Sequence, residues 1–185
     1  MRGSENNINI FEVFNTSMYI KKKMTSVKEC VRCNAITAKG TRCTRRTCIY
    51  PGECYQHFQQ HNGLKLAPSS IPNSGLGLFT TRPFPANRKI ADYTGNIVLD
   101  TDWALDPSDY GAAYDATHTI DGRSTQSGIA RYSNDCRTAD RLAGRCRGNN
   151  ARLRITRQKN VVLESKSRIP ANTEVFNSYG KYYWT

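Results

Sequence analysis

The sequence predicts a mainly β protein of short strands and small sheets, with a compact Cys/His-rich module ahead of it. Three observations carry that expectation. From Lys65 onward, short apolar runs are broken by Gly, Pro, Asn and Ser, and none sustains a helical period. Five of the seven cysteines crowd between Cys30 and Cys54, while Cys136 and Cys146 lie far downstream. The 185 residues, 38% of them apolar, suffice for one ordinary domain and an appendage.

In chain order, residues 1–29 read as a flexible leader with scattered polar residues, and Met24 is an alternative start. The leader has no continuous apolar stretch, which argues against a secretory signal. No run anywhere approaches the ~20 apolar residues a bilayer span requires. Residues 30–61 form the Cys/His module, and "HNGLKLAPSS" marks a junction. The β-rich domain occupies 66–185. Its candidate strands are "KLAPSSI", "LGLFTT", "KIADYTGNIV", "HTID", "NARLRIT", "VVLESKSRI" and "EVFNSY". "ARLRIT" alternates like a half-buried strand, and the polar step "RQKN" before "VVLESKSRI" predicts a hairpin. Helical turns are expected at "DWAL" and "GIARYS".

The net charge of +12 is concentrated in two segments. Residues 1–66 hold eleven Lys/Arg against four Glu, and residues 131–159 hold nine against Asp135 and Asp140. Such a field favours nucleic acid or acidic protein surfaces as partners, although a solubilising face would carry the same charge. Seven cysteines without a signal peptide point to metal-bound or structural thiols in a reducing, intracellular compartment rather than to a disulfide scaffold.

Within the module, Cys33, Cys43, Cys54 and His57 offer the four ligands of a structural zinc site. Cys54-x-x-His57 makes one knuckle, and a turn at Gly40 brings Cys33 to Cys43. Cys30, Cys48 and His61 compete for the same metal, and Cys30-x-x-Cys33 is itself a good knuckle. So small a module has little core of its own, so metal binding would supply its folding free energy. The block resembles a motif, C-x-A-x-T-x-x-G-x-x-C followed by C-x-x-H, of large DNA virus and phage proteins. Its interleaved Arg42, Arg45 and Arg46 suit phosphate contacts.

Gly75 and Gly77 flank Leu76 in "SGLGLFTT". Alone this is weak evidence, since it lacks the third glycine and the helix of a dinucleotide site. Read in order, however, "GLGLFTT…IADYTGNIV", "TIDGRSTQSGIARYSNDC", "NNARLRI" and "VVLESKSRIPANTEVFNSYG" resemble the SET domain of protein-lysine methyltransferases. The family patterns are GxGLF…Y.G, IDA…GN.ARF.NHSC, PN and I..GEEL.YDYG, and the match runs from about residue 66 to 184.

The resemblance implies a SET-type fold whose C-terminal segment threads a loop in a pseudoknot-like way. It implies S-adenosylmethionine as cofactor, approached by Gly75, Leu76 and Gly77, with Arg131, Tyr132 and Asn134 beside it. It places Tyr179 as the catalytic tyrosine and Tyr93 near the lysine channel. The aromatic tail, Tyr182, Tyr183 and Trp184, would close the site, with Trp184 a candidate for the cofactor. Departures are the loss of the NHSC histidine at Asn134-Asp135-Cys136, Asn177 two residues before Tyr179, and a basic insertion over 137–147. Cys136 and Cys146 could form half a zinc site, but no two further ligands stand near them.

The chemistry stands without the family. A sulfonium methyl is already activated, so its transfer requires a neutral amine held in line behind it. Lysine's pKa near 10.4 must fall, and an apolar aromatic channel lowers it. The function that the resemblance implies is methyl transfer to a protein lysine, in a histone, a nucleosome or another chromatin protein, in the nucleus or a viral factory. The alternative is an inactive SET-like zinc module that binds nucleic acid or chromatin. A homodimer completing the channel is a third expectation.

Overall fold

The computed structural model describes residues 28–180 and Tyr183. A two-strand clip, β1 (Val31–Arg32) and β2 (Arg46–Thr47), opens the described chain, and helix α1 (Tyr55–Asn62) follows. The chain turns at once into β3 (Leu64–Pro68), which pairs antiparallel with β4 (Leu76–Thr80). Next come β5 (Lys89–Asp92), β6 (Asn96–Leu99), α2 (Asp100–Leu105), β7 (Gly111–Ala113) and β8 (His118–Asp121). A 3₁₀ turn at Ile129–Tyr132, helix α3 (Thr138–Leu142) and the hairpin of β9 (Ala151–Ile155) and β10 (Val161–Ser165) complete the elements. The sheets are small, in the orders β1-β2, β3-β4, β6-β8-β7 and β5-β10-β9. The mainly β class with short strands holds.

Most elements fall where the alternation of the sequence places them. The expected run "KIADYTGNIV" instead divides between two sheets, with β5 on β10 and β6 on β8. The break comes at Tyr93-Thr94-Gly95, where the Tyr93 ring turns into the core at 6% exposure. Helix α1 has no apolar period, since Phe58 is its one buried residue. That explains why it is not legible as a helix. Tertiary contact holds it instead: Phe58 sits in the main core and meets the Tyr50 ring at 5.2 Å.

That core gathers side chains from each larger sheet, among them Leu78, Ile90, Ile120 and Leu163, and takes Val175 from the C-terminal segment. β10 is buried along its whole length because it is the central strand between β5 and β9. Its buried Glu164 is paired with Arg152 and Arg154 of β9, each at 2.8 Å.

"EVFNSY" forms no ladder strand. It runs as a strap between three segments. Val175 N–H donates to Leu78 on β4, Asn177 N–H donates to the Asn134 carbonyl, and Ala151 N–H donates to Phe176. Asn150 reaches across with its amide, donating to Glu174 and accepting from the Phe176 N–H. The strap is therefore inserted through the fold, in the pseudoknot-like arrangement expected from the sequence.

The cysteines correct the expectation of metal-bound or structural thiols, which fails for four of the seven. Cys30 pairs with Cys48 and Cys136 with Cys146, both as disulfides. The second pair closes the loop carrying α3, so neither cysteine serves as half of a zinc site. Spacing alone could not reveal these pairs, because the turns that bring the partners together are set by tertiary contacts. Residues 1–27 of the expected leader lie outside the described residues. Among the described residues, no helix is long and apolar enough to cross a membrane.

Candidate active site and metal centre

The start of β4, the 3₁₀ turn and the strap meet around a cleft of about 600 Å³. Gly75, Leu76, Arg131, Tyr132, Asn134 and Tyr179 line it, so stretches far apart in the sequence supply one pocket. Tyr110, Asp109, Asn73, Ser74, Thr125, Tyr183, Lys28, Cys48 and Ile49 complete the wall. Its size lies within the range of small-molecule and cofactor pockets.

Arg131 is the most informative side chain. It is 5% exposed, and its Nη1 donates to the carbonyls of Gly122, at 2.6 Å, and Ser124. Its guanidinium lies over the Tyr110 ring at 3.7 Å and the Tyr132 ring at 4.8 Å. Nε and Nη2 are buried with no hydrogen-bond partner among the described residues. Buried donors without acceptors are costly and rare, so two on one cation at a cleft wall mark a place for an anionic or carbonyl-bearing ligand.

Tyr179 is held at both ends. Its N–H donates to the Asp135 carboxylate at 3.0 Å, and its hydroxyl donates to the Ser133 carbonyl at 3.2 Å. The Tyr183 ring packs edge-on against it at 4.7 Å. Asp135 is fixed in turn by the Asn149 amide at 2.9 Å. The shortened Asn134-Asp135-Cys136 stretch thus keeps a positioning role, because its carboxylate orients the tyrosine backbone. Burial, followed by the neighbouring Tyr183 phenol, pushes the Tyr179 hydroxyl above its ordinary pKa. Burial likewise raises Tyr132 and Tyr93. All three phenols are therefore neutral near pH 7.

Other candidates fall elsewhere. The Tyr93 hydroxyl donates to the Tyr110 carbonyl at 2.8 Å from inside the core, so it supports a cleft residue without lining the cleft. Gly77 faces away from the opening: a Cβ there would come within 2.8 Å of Glu174 Cδ and closer still to its oxygen. Gly75, at φ +67°, takes the left-handed turn that leads into β4, with open space where a side chain would stand. Asn134 directs its amide N–H groups to Leu76 and Glu174, each at 3.2 Å, tying the β4 turn to the strap. Trp184 and Tyr182 lie outside the described residues. Sequence reasoning missed Tyr110 and Asp109, which sit in an irregular stretch without any motif; Arg131 and Tyr132 are brought to the Tyr110 ring only by the fold.

Within the N-terminal module, Cys33, Cys43, Cys54 and His57 converge. Their ligand atoms all lie within 4.8 Å of one another, and His57 Nδ1 is 3.4 Å from the sulfurs of both Cys33 and Cys54. A tetrahedral zinc with Zn–S near 2.3 Å and Zn–N near 2.0 Å requires edges of roughly 3.5–3.8 Å. The three cysteines are buried, and the donor set fits zinc. The competing ligands are otherwise engaged. Cys30 and Cys48 form a disulfide, and His61 Nδ1 lies 2.7 Å from Glu53.

A strap threaded past a glycine turn, with a tyrosine at its end facing the same cleft, defines a SET-type domain. A family model for the SET domain matches residues 75–180, more than half of the chain. The chain belongs to the SET-domain family, whose members are in general protein-lysine methyltransferases using S-adenosylmethionine. No curated protein matches it.

Proposed function

We propose that the chain transfers a methyl group from S-adenosylmethionine to the side-chain amine of a lysine in a protein substrate, with zinc as a structural ion. The observation that carries this is the convergence of Gly75, Arg131, Tyr132, Asn134 and Tyr179, spread over more than a hundred residues, on one cleft. The residues fit the cofactor: the Nε and Nη2 groups of Arg131 offer a bidentate seat for a carboxylate. The Gly75 turn admits close backbone approach, and Tyr110 and Tyr132 give flat apolar walls. Bound there, the cofactor supplies an activated sulfonium methyl.

The remaining work belongs to the chain. A lysine amine must arrive neutral, and the rings of Tyr110, Tyr132, Tyr179 and Tyr183 disfavour an ammonium by desolvation. The neutral Tyr179 hydroxyl and the Ser133 carbonyl beside it orient the amine, so that transfer gains from alignment. Cys33, Cys43, Cys54 and His57 hold zinc and stabilise the module.

Calorimetric titration with S-adenosylmethionine and mass spectrometry on peptide arrays and nucleosomes test the reading. Saturable cofactor binding and a mass gain of one or more methyl groups are expected, and Tyr179→Phe should abolish transfer while retaining binding. Absence of cofactor binding by the folded, zinc-loaded protein refutes it.

A further inference from the structure

The cleft has a wall that lies outside the SET match. Lys28, Cys48 and Ile49 line it; Cys48 and Ile49 belong to the segment that carries the metal cluster, and Lys28 lies just ahead of it. Ile49 is 39% exposed, an apolar side chain at the cleft wall. Its neighbours are anchored firmly. The Tyr50 hydroxyl accepts the Leu66 N–H at 2.9 Å, and Gly52 N–H donates to Gln126 Oε1 at 3.0 Å. Glu29 closes the same seam, its N–H donating to Thr125 Oγ1 at 3.0 Å and its carbonyl accepting from Gln126 Nε2 at 3.1 Å.

The opposite end of this wall is the metal cluster. Cys33 N–H donates to the Arg45 carbonyl at 2.8 Å, immediately before β2, and β2 runs directly into Cys48 and Ile49. The Cys30–Cys48 bridge ties the tip back to the residue before β1. The cluster and the cleft therefore share one short, cross-braced piece of backbone with little core of its own.

We propose that the Cys/His module is a working wall of the cofactor cleft: Ile49 contacts the bound cofactor, and the metal cluster holds Ile49 in place, so that metal occupancy and cofactor affinity are linked. The proposal rests on the reading of the cleft as a cofactor site. Linkage is reciprocal: whatever factor the metal adds to cofactor affinity, the cofactor must add to metal affinity.

The test uses the full chain loaded with zinc and S-adenosylhomocysteine as probe. Ile49→Asp replaces an apolar contact by a carboxylate at a position that anchors nothing, and should weaken binding about tenfold with zinc content and melting temperature unchanged. In wild type, saturating probe should slow zinc release to a chelator, and Cys43→Ser should lose both zinc and probe affinity. Ile49→Asp binding within about twofold of wild type, or zinc release indifferent to the probe, overturns the proposal even if Cys43→Ser fails to fold. Zinc-loaded wild type that binds no probe instead removes the cofactor reading itself, and the linkage with it.

Discussion

Gly77 separates two uses of a glycine beside a cleft. In the structure its Cα faces the Glu174 carboxylate, which accepts from Ser69 Oγ at 2.7 Å, Ser70 N at 2.8 Å, Ser70 Oγ at 2.7 Å and Asn134 Nδ2 at 3.2 Å. Glu174 is 5% exposed, so it has no room to swing aside. Gly77→Ala puts a methyl group 2.8 Å from Glu174 Cδ and 3.2 Å from the Phe79 ring. Relief requires breaking one or two of those hydrogen bonds, each worth roughly 1.5–3 kcal/mol because the acceptor is charged. The expected cost is about 3 kcal/mol, or a fall of about 6–12 °C in Tm for a chain of this size.

Gly75→Ala meets open space and incurs only the strain of its left-handed backbone, about 1 kcal/mol. Urea denaturation of both variants, and of Glu174→Ala alone and combined with Gly77→Ala, measures the difference. The double variant should lose less than the sum by at least about 1 kcal/mol, since the methyl group then fills vacated space. Gly77→Ala within about 0.5 kcal/mol of wild type, or strictly additive with Glu174→Ala, refutes the assignment of Gly77 to the strap.

Three further outcomes are expected. Tyr93→Phe leaves the Tyr110 carbonyl without its 2.8 Å donor and should cost about 1–2 kcal/mol in denaturation while methyl transfer persists. The Arg137 guanidinium, and then Arg145, hold the fully buried Asp140 carboxylate below its ordinary value of 3.8. Its contribution is complete above about pH 4 and is lost as pH falls through the depressed value, so Asp140→Asn should flatten the acid limb of stability against pH without altering its shape from about pH 6 to 8. Stripping zinc with a strong chelator should release one metal per chain and lower Tm, with circular dichroism reporting loss at α1, because Cys54 and His57 bracket its first turn.

Local patterns were legible where one stretch of chain determines the outcome. The β9–β10 hairpin followed from alternation and a polar turn, and the four metal-ligand residues that converge were among seven candidates that the spacing offered. Residues whose role depends on distant partners were less legible. The pattern around Gly77 gives no sign of Glu174 packed against it, and that around Tyr93 none of its hydroxyl bond to Tyr110. Asp135 reads as damage to a motif, although it grips the Tyr179 backbone. The disulfides were hidden for the same reason, since their partners meet only after the loops around α3 and β2 have closed. Tyr110 carried no signal at all; its importance comes from Arg131, far downstream, stacking on its ring.

The inserted strap has a consequence for biosynthesis. Val175 and Phe176 fill interior space framed by β4, Asn134 and Ala151, all of which leave the ribosome earlier. Until Tyr179 has emerged, the nascent chain carries an open slot lined by apolar side chains and unpaired amides, a state that invites association with other chains. Completion of the cleft and burial of that slot are the same event, so a chain cut before Glu174 would display a body that lacks the Tyr179 wall and is adhesive.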